Sequence, residues 1–254
     1  MQLEFMEQFG WGKNYMTEND DNTHPSFIFQ VDKFQKEEKD AVIKKQLEGY
    51  KETCKIWPDH LKDLEKAFIF VKGKTVLDVG CSDGQVMELL KKQGFEVKGV
   101  DIATEALNKA ELKGLNVVYG VAQNLPFGNE TFDTVFCSHV IEHLIDFDVA
   151  LKEFYRVLKP NGRVIILTEN LNSLKERILF LFGKIPTVMA DPHHYSFFNF
   201  KRLEEEMRKA GFQSIIRDGS QIGFPIPKHC FFTHKLDVVL SESFCEKIIM
   251  VGIK

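Results

Sequence analysis

Two stretches of this sequence hold residues whose types and spacing can do acid–base or metal chemistry. Cys137-Ser138-His139-Val140-Ile141-Glu142-His143-Leu144 is one, and Asp191-Pro192-His193-His194-Tyr195 is the other. If Val140 to Ile145 forms a helical turn, the i, i+3, i+4 spacing sets His139, Glu142 and His143 on one side. Two chemistries are open to them. A histidine titrates near neutrality and can take the proton from an acceptor hydroxyl. Alternatively, Glu142, His143 and His194 offer nitrogen and oxygen donors to a divalent metal that lowers the hydroxyl's pKa. A purely structural role for these side chains stays open beside both.

A third stretch points to a nucleotide-like ligand. Thr75-Val76-Leu77-Asp78-Val79-Gly80-Cys81-Ser82-Asp83-Gly84 reads as a strand entering a glycine-punctuated turn and then a helix, so backbone can approach a ligand at Gly80 and Gly84. It is not a dinucleotide fingerprint, because Ser82 stands where a middle glycine belongs and Asp78 lies inside the strand. A pyrophosphate is repelled by that carboxylate, whereas a ligand with an amine and a sulfonium is attracted. Val97-Lys98-Gly99-Val100-Asp101 then ends a second strand in an acid placed to accept both hydroxyls of a ribose.

The elements that must position these residues alternate. Strands are expected at 75–79, 96–101, 116–119, 134–137, 163–168, 213–217 and 247–252, and helices at about 59–70, 85–93, 104–113, 147–158 and 201–209. Lys159-Pro160-Asn161-Gly162 is a turn, and 169–199 reads as irregular. Such alternation implies an α/β fold, a doubly wound, mostly parallel seven-stranded sheet with ligands at the strand carboxyl ends.

Several blocks together resemble the class I S-adenosylmethionine-dependent methyltransferases over about Lys74 to Phe212. Val76 to Gly84 looks like the first cofactor motif and Gly99-Val100-Asp101 the second. Ala122-Gln123-Asn124-Leu125-Pro126-Phe127 looks like the adenine-side loop, Phe132-Asp133-Thr134-Val135 the fourth strand, and Phe154 to Arg163 the helix, turn and fifth strand. The resemblance implies S-adenosyl-L-methionine as cofactor, with Asp78 at its methionine end, Asp101 on the ribose, and Gly80, Cys81, Ser82 and Gly84 wrapping it. Ile102, Ala122, Gln123 and Ser138 complete the implied cofactor set. Val121 stands where the family usually carries an acid, so the adenine contact falls to backbone or to Gln123. A Glu-x-x-Glu-His followed by a distant histidine is the metal site of small-RNA 2'-O-methyltransferases, but this chain has His139 in place of the first glutamate. The stretch from Glu169 to Phe212 is similar to glycan-cluster methyltransferases and more distantly to ubiquinone-biosynthesis enzymes.

Composition bounds the rest. With 254 residues, 44% apolar and 28% charged, the chain is an ordinary globular protein. A net charge of -4 disfavours nucleic acid as a partner, and five scattered cysteines without a Cys-x-x-Cys fit a reducing cytoplasm. No transmembrane run or secretory signal is expected. The organisation expected is an N-terminal arm and helices over residues 1–70, then a methyltransferase core over 71–254 with lid insertions at about 170–199 and 219–245. Ile178 to Phe182 reads as a cap helix over the acceptor, a subunit contact in a homodimer, or a membrane dock. The activity expected is O-methyl transfer by His143, His194, His139 and Glu142 to a small hydroxylated acceptor held by His193, Tyr195 and Asn199. A sugar or nucleotide-sugar of a surface polysaccharide is the first expectation. A quinone or lipid-like acceptor, and a non-catalytic cofactor-binding partner protein, are the alternatives.

Overall fold

The computed structural model describes residues 58–222 and 244–254. Residues 1–57 of the N-terminal arm and helices expected over 1–70 lie outside the described residues, as does most of the lid expected at 219–245.

Helix α1 (Pro58–Phe68) leads into β1 (Thr75–Val79), α2 (Gln85–Lys92), β2 (Glu96–Asp101), α3 (Thr104–Leu112) and β3 (Asn116–Tyr119). Strand β4 (Phe132–Ser138), α4 (Phe147–Val157) and β5 (Leu158–Glu169) follow. Next come α5 (Leu174–Leu181), α6 (Thr187–Ala190), α7 (Phe200–Lys209), β6 (Ser214–Ile222) and β7 (Cys245–Ile253). The seven strands form one sheet in the order β3-β2-β1-β4-β5-β7-β6, all parallel except β7, which runs against both neighbours. The expected doubly wound sheet is therefore present.

Alternating side chains of each strand feed two cores, one on each face. Val76, Phe136, Ile165 and Leu167 pack with Leu64, Met87, Leu90 and Leu107 of α1 to α3. Leu77, Val135, Val164 and Ile166 pack with Leu151 and Phe154 of α4 and with Leu203 and Met207 of α7. Strands buried on both faces read as nearly unbroken apolar runs, which is why the sequence located them.

Two expectations change. The stretch 169–199 is not irregular throughout, since it holds α5 and α6. The turn at Lys159 to Gly162 lies inside β5 rather than before it. Phe132 pairs with Leu158 but Thr134 with Arg163, so the intervening residues loop out around Asn161, whose φ is 62°.

At the amino ends of the strands, the Asp133 carboxylate accepts from the N–H of Lys74 and of Thr75 (both 2.9 Å), from the Thr75 hydroxyl (2.8 Å) and from Lys159 Nζ (2.9 Å). Partial burial opposes ionisation, but these donors outweigh it and hold the carboxyl far below its ordinary range. A depressed carboxyl contributes stability above its unfolded pKa of about 3.9 and loses it as pH falls. Asp133→Asn is expected to lower unfolding free energy by about 1.5 kcal/mol at pH 7, with the gap to wild type narrowing below about pH 4 in urea titrations. A gap that is constant with pH contradicts this.

Candidate active site

Strand order reverses at β1, with β2 on one side and β4 on the other, so a crevice opens at the carboxyl ends of β1 and β4. Val79 and Cys137 are paired neighbours at its base. The chain leaves β1 through Gly80 (φ 74°), with the N–H groups of Gly80 and Cys81 donating to Val100 O at 2.8 and 3.2 Å. A Cβ on Gly80 would lie 2.2 Å from Val140 Cγ2, and one on Gly84 (φ 84°) 2.1 Å from Leu115 Cδ1. Neither position admits a side chain in this left-handed backbone.

Two carboxylates sit beneath that turn. Asp101, 3% exposed, accepts from Ser82 N at 2.7 Å through Oδ2 and from Ala103 N at 2.8 Å through Oδ1. Burial raises its pKa, partly countered by these N–H donors. Asp78 is 2% exposed, and its Oδ2 has no hydrogen-bond partner among the described residues. Burial, reinforced by the charge of Asp101, pushes its pKa up to about 8. The Cys81 thiol is raised by the same burial and packs where a Cβ on Gly99 would otherwise lie, 2.6 Å from Cys81 Sγ. Ser138 Oγ, at the end of β4, is buried without a partner among the described residues. Ile102 and Gln123 are half-buried, Ala122 is buried, and the loop that carries the last two is closed by Asn124 N donating to Val121 O at 3.0 Å.

The histidine cluster lies beyond β4. His139 has a φ of 53°, and only Ile141–His143 form a single 3-10 turn, so the helical spacing argument does not describe how these residues meet. Instead His139 Nδ1 lies 3.0 Å from Glu142 Oε1, and the distant His194 joins Glu142 and His143. One ligand atom from each of these three lies within 4.8 Å of the others. His143 Nδ1 contacts His193 O at 2.9 Å, and His194 Nδ1 contacts Val188 O at 2.8 Å. A carbonyl only accepts, so both rings carry a proton on Nδ1, which leaves the Nε2 lone pair in the neutral form. Glu142 is 2% exposed and its Oε2 has no partner among the described residues. Burial alone raises its pKa, but the hydrogen bond from His139 and the charges of His139 and His143 outweigh it and bring the carboxyl to about 2.

The loop carrying the second histidine pair is tied to the first, since Tyr195 N and Ser196 N donate to Glu142 O at 2.9 and 3.0 Å. His193 and Tyr195 are thereby at the cluster, and His193 Nδ1 is buried without a partner among the described residues. Asn199, expected to hold acceptor, instead caps α7, with Oδ1 accepting from Arg202 N at 2.8 Å. The sequence reading missed Glu169, which ends β5 3.8 Å from His139 and pairs with Lys247. Its signal was the one that marked Asp101, an acid at a strand's carboxyl end. The expected cap over the acceptor is not formed by the end of α5. Phe180, Leu181 and Phe182 are 73, 79 and 74% exposed, and Ile185 is 70% exposed.

Comparison with known proteins decides the family. A methyltransferase domain profile matches residues 52–216. The chain belongs to the S-adenosylmethionine-dependent methyltransferases. The ubiquinone biosynthesis O-methyltransferase of Hydrogenovibrio crunogenus is 31% identical over 185 residues, covering 68% of this chain and 76% of the relative. That of Pseudomonas entomophila is 29% identical over 184 residues, covering 67% and 77%. A solved methyltransferase of Thermotoga maritima superposes with a TM-score of 0.60 at 24% identity, covering 76% of this chain and 88% of that one. Phosphoethanolamine N-methyltransferase 2 of Haemonchus contortus, solved with S-adenosyl-L-methionine, gives 0.56 at 22% identity, covering 78% and 52%. At those identities the two structures speak for the fold alone.

The methyltransferase's crevice fits its cofactor. S-adenosyl-L-methionine brings an ammonium, a sulfonium and a ribose diol, and the crevice presents one unpartnered buried carboxylate oxygen, a second buried carboxylate and a turn with two glycines where a Cβ would clash. A raised carboxyl pKa favours the protonated native state, so without cofactor Asp78 lowers stability as pH rises from about 4 toward 8. A cation bound against it takes the proton away. Calorimetry at pH 7 in buffers of different ionisation enthalpy is expected to show close to one proton released per cofactor bound, and none for Asp78→Asn. Equal release by both proteins contradicts the assignment.

Proposed function

We propose that this methyltransferase acts on a hydroxyl of a quinone-type or other lipid-like acceptor. The names of the relatives support that class, and neither names a sugar, so the polysaccharide acceptor expected from sequence gains no support. The observation that carries O-methylation is the convergence of Glu142, His143 and His194, an arrangement suited to handling a hydroxyl proton.

In this reading Asp78 receives the cofactor's ammonium, Asp101 the ribose hydroxyls, and Gly80 to Gly84 its length. Ala122 and Gln123 flank the adenine, and Ser138 lies toward the methionine end. The bound cofactor supplies an electrophilic methyl on sulfur for in-line displacement. The chain's own contribution is alignment and exclusion of water. His193 and Tyr195 line the acceptor side.

Two imidazole Nε2 atoms and a carboxylate oxygen form the donor set of a divalent transition ion, and we assign Glu142, His143 and His194 as its ligands. Such an ion lowers the pKa of a coordinated hydroxyl. His139 holds Glu142 Oε1, and Oε2 is buried without a hydrogen-bond partner among the described residues. The second reading keeps the same residues with a histidine as base and no ion. Methyl gain by mass spectrometry on a hydroxylated quinol is expected to fall at least tenfold with EDTA and return with Mn2+ or Zn2+. His143→Ala and His194→Ala are each expected to lower kcat by about 10²-fold or more, with cofactor affinity unchanged. Turnover indifferent to EDTA but lost in both variants selects the base. Full turnover in both variants removes both readings.

The exposed tip Phe180 to Ile185 supports a lipid-borne acceptor, because between 174 and 190 its exposed ionised residues are Arg177 and Lys184, and the only carboxylate, Glu176, is buried. Among the described residues no helix is long and apolar enough to cross a membrane. Co-sedimentation with phosphatidylglycerol vesicles is expected for the wild type and is expected to be lost in Phe180→Asp at unchanged Tm. A concentration-dependent dimer abolished by the same substitution assigns the tip to a subunit contact instead.

A further inference from the structure

Glu176 is a carboxylate 3% exposed in α5, and neither cofactor nor acceptor chemistry uses it. Ser173 and Glu176 stand at the spacing of a capping box, in which the glutamate reaches back to the backbone N–H of the serine. Here only half of the box forms. Ser173 Oγ accepts from Glu176 N at 3.3 Å, but Ser173 N–H is already spent on Asn170 O at 3.1 Å. The Glu176 carboxylate turns the other way and clasps Thr187, accepting its backbone N–H at 2.6 Å through Oε2 and its hydroxyl through Oε1. The next residue, Val188, is buried and supplies the carbonyl that receives His194 Nδ1–H.

We propose that Glu176 is a positioning residue that fixes the orientation and tautomer of His194 by clamping Thr187 and thereby holding the Val188 carbonyl in place. This rests on His194 being one of the groups that handle the acceptor hydroxyl. The physical argument is one of cost. A buried carboxylate is unfavourable unless its acceptor capacity is used, and a helix cap here needs only Ser173. What the ionised side chain adds is two charge-assisted hydrogen bonds across the turn that separates α5 from α6. Those bonds pin Thr187 at the start of α6, so the Val188 carbonyl cannot rotate away from the ring. With Nδ1 held as a donor, the lone pair is left on Nε2, and His194, Glu142 and His143 each place one ligand atom within 4.8 Å of the others. Partners that orient a ligand histidine in this way typically change metal affinity or activity by about 10–100-fold.

The test uses the full chain with Glu176→Ala, Glu176→Gln and Thr187→Val, each also made in a His194→Ala background. Nitrogen-15 NMR of the histidine rings is expected to show His194 as the Nδ1–H tautomer in the wild type, and a mixture of tautomers in Glu176→Ala. In the same variant kcat is expected to drop about 10–100-fold with the KM for cofactor unchanged. Gln keeps an acceptor for Thr187 N–H and is expected to recover most of the loss. In the His194→Ala background the Glu176 substitutions are expected to cost nothing further, whereas a merely structural glutamate costs the same in both. An unchanged His194 tautomer in Glu176→Ala, or equal losses in both backgrounds, overturns the proposal. If Glu176→Ala does not fold, Thr187→Val carries the same measurement. Should His194→Ala itself retain full turnover, the functional reading of His194 fails, while the tautomer still decides whether the clasp orients the ring.

Discussion

Two carboxylates in adjacent strands, both almost wholly removed from water, set the terms for the carboxyl end of this sheet. Asp78 and Asp101 repel one another and each is desolvated, a combination that disfavours the ionised pair. The fold meets half of that cost with backbone. Asp101 takes the N–H groups of Ser82 and Ala103, which requires the chain to leave β1 in a tight left-handed turn through Gly80, Ser82 and Gly84. The other half is left unmet at Asp78 Oδ2. Gly99, opposite Asp78 in the β1–β2 register, leaves room for the Cys81 and Met87 sulfurs, so the space around the carboxylates is filled with side chains that cannot ionise readily or donate strongly. A cationic ligand with a diol is the complement of what remains.

The acceptor end follows a different logic. Its residues come from segments far apart in sequence, and they are joined through backbone rather than through one helix face. Glu142 contributes a carboxylate to the cluster and a carbonyl to the loop of Tyr195 and Ser196, so one residue fixes both halves. His143 in turn is oriented by the carbonyl of His193 and His194 by that of Val188. The result is a compact set of donors whose geometry depends on loop conformation, while the cofactor end depends on strand register.

That contrast explains what could be read from the sequence. Strands buried on both faces, such as Thr75–Val79 and Phe132–Ser138, announce themselves as apolar runs, and Asp78, Gly80, Gly84 and Asp101 stand out because a strand-turn-helix gives their spacing a fixed meaning. The cluster was legible as residue types but not as geometry. His139 lies in left-handed backbone before the turn, which no periodicity indicates, and Glu169 meets it only because β4 and β5 are neighbours. Asn199 looked like a polar site residue and is a helix cap, since the same side chain serves both uses. The Ile178 to Phe182 run suggested a covered surface, yet apolar residues are not obliged to be buried, and its end faces outward.

The central claim is that the unpartnered oxygen of Asp78 receives the amino group of S-adenosyl-L-methionine. The most direct measurement compares the affinity of the wild-type protein for this cofactor with its affinity for the analogue lacking only the α-amino group. The account expects the analogue to bind at least tenfold more weakly to wild type and the discrimination to vanish in Asp78→Asn. Equal affinities of the wild type for the two ligands contradict it.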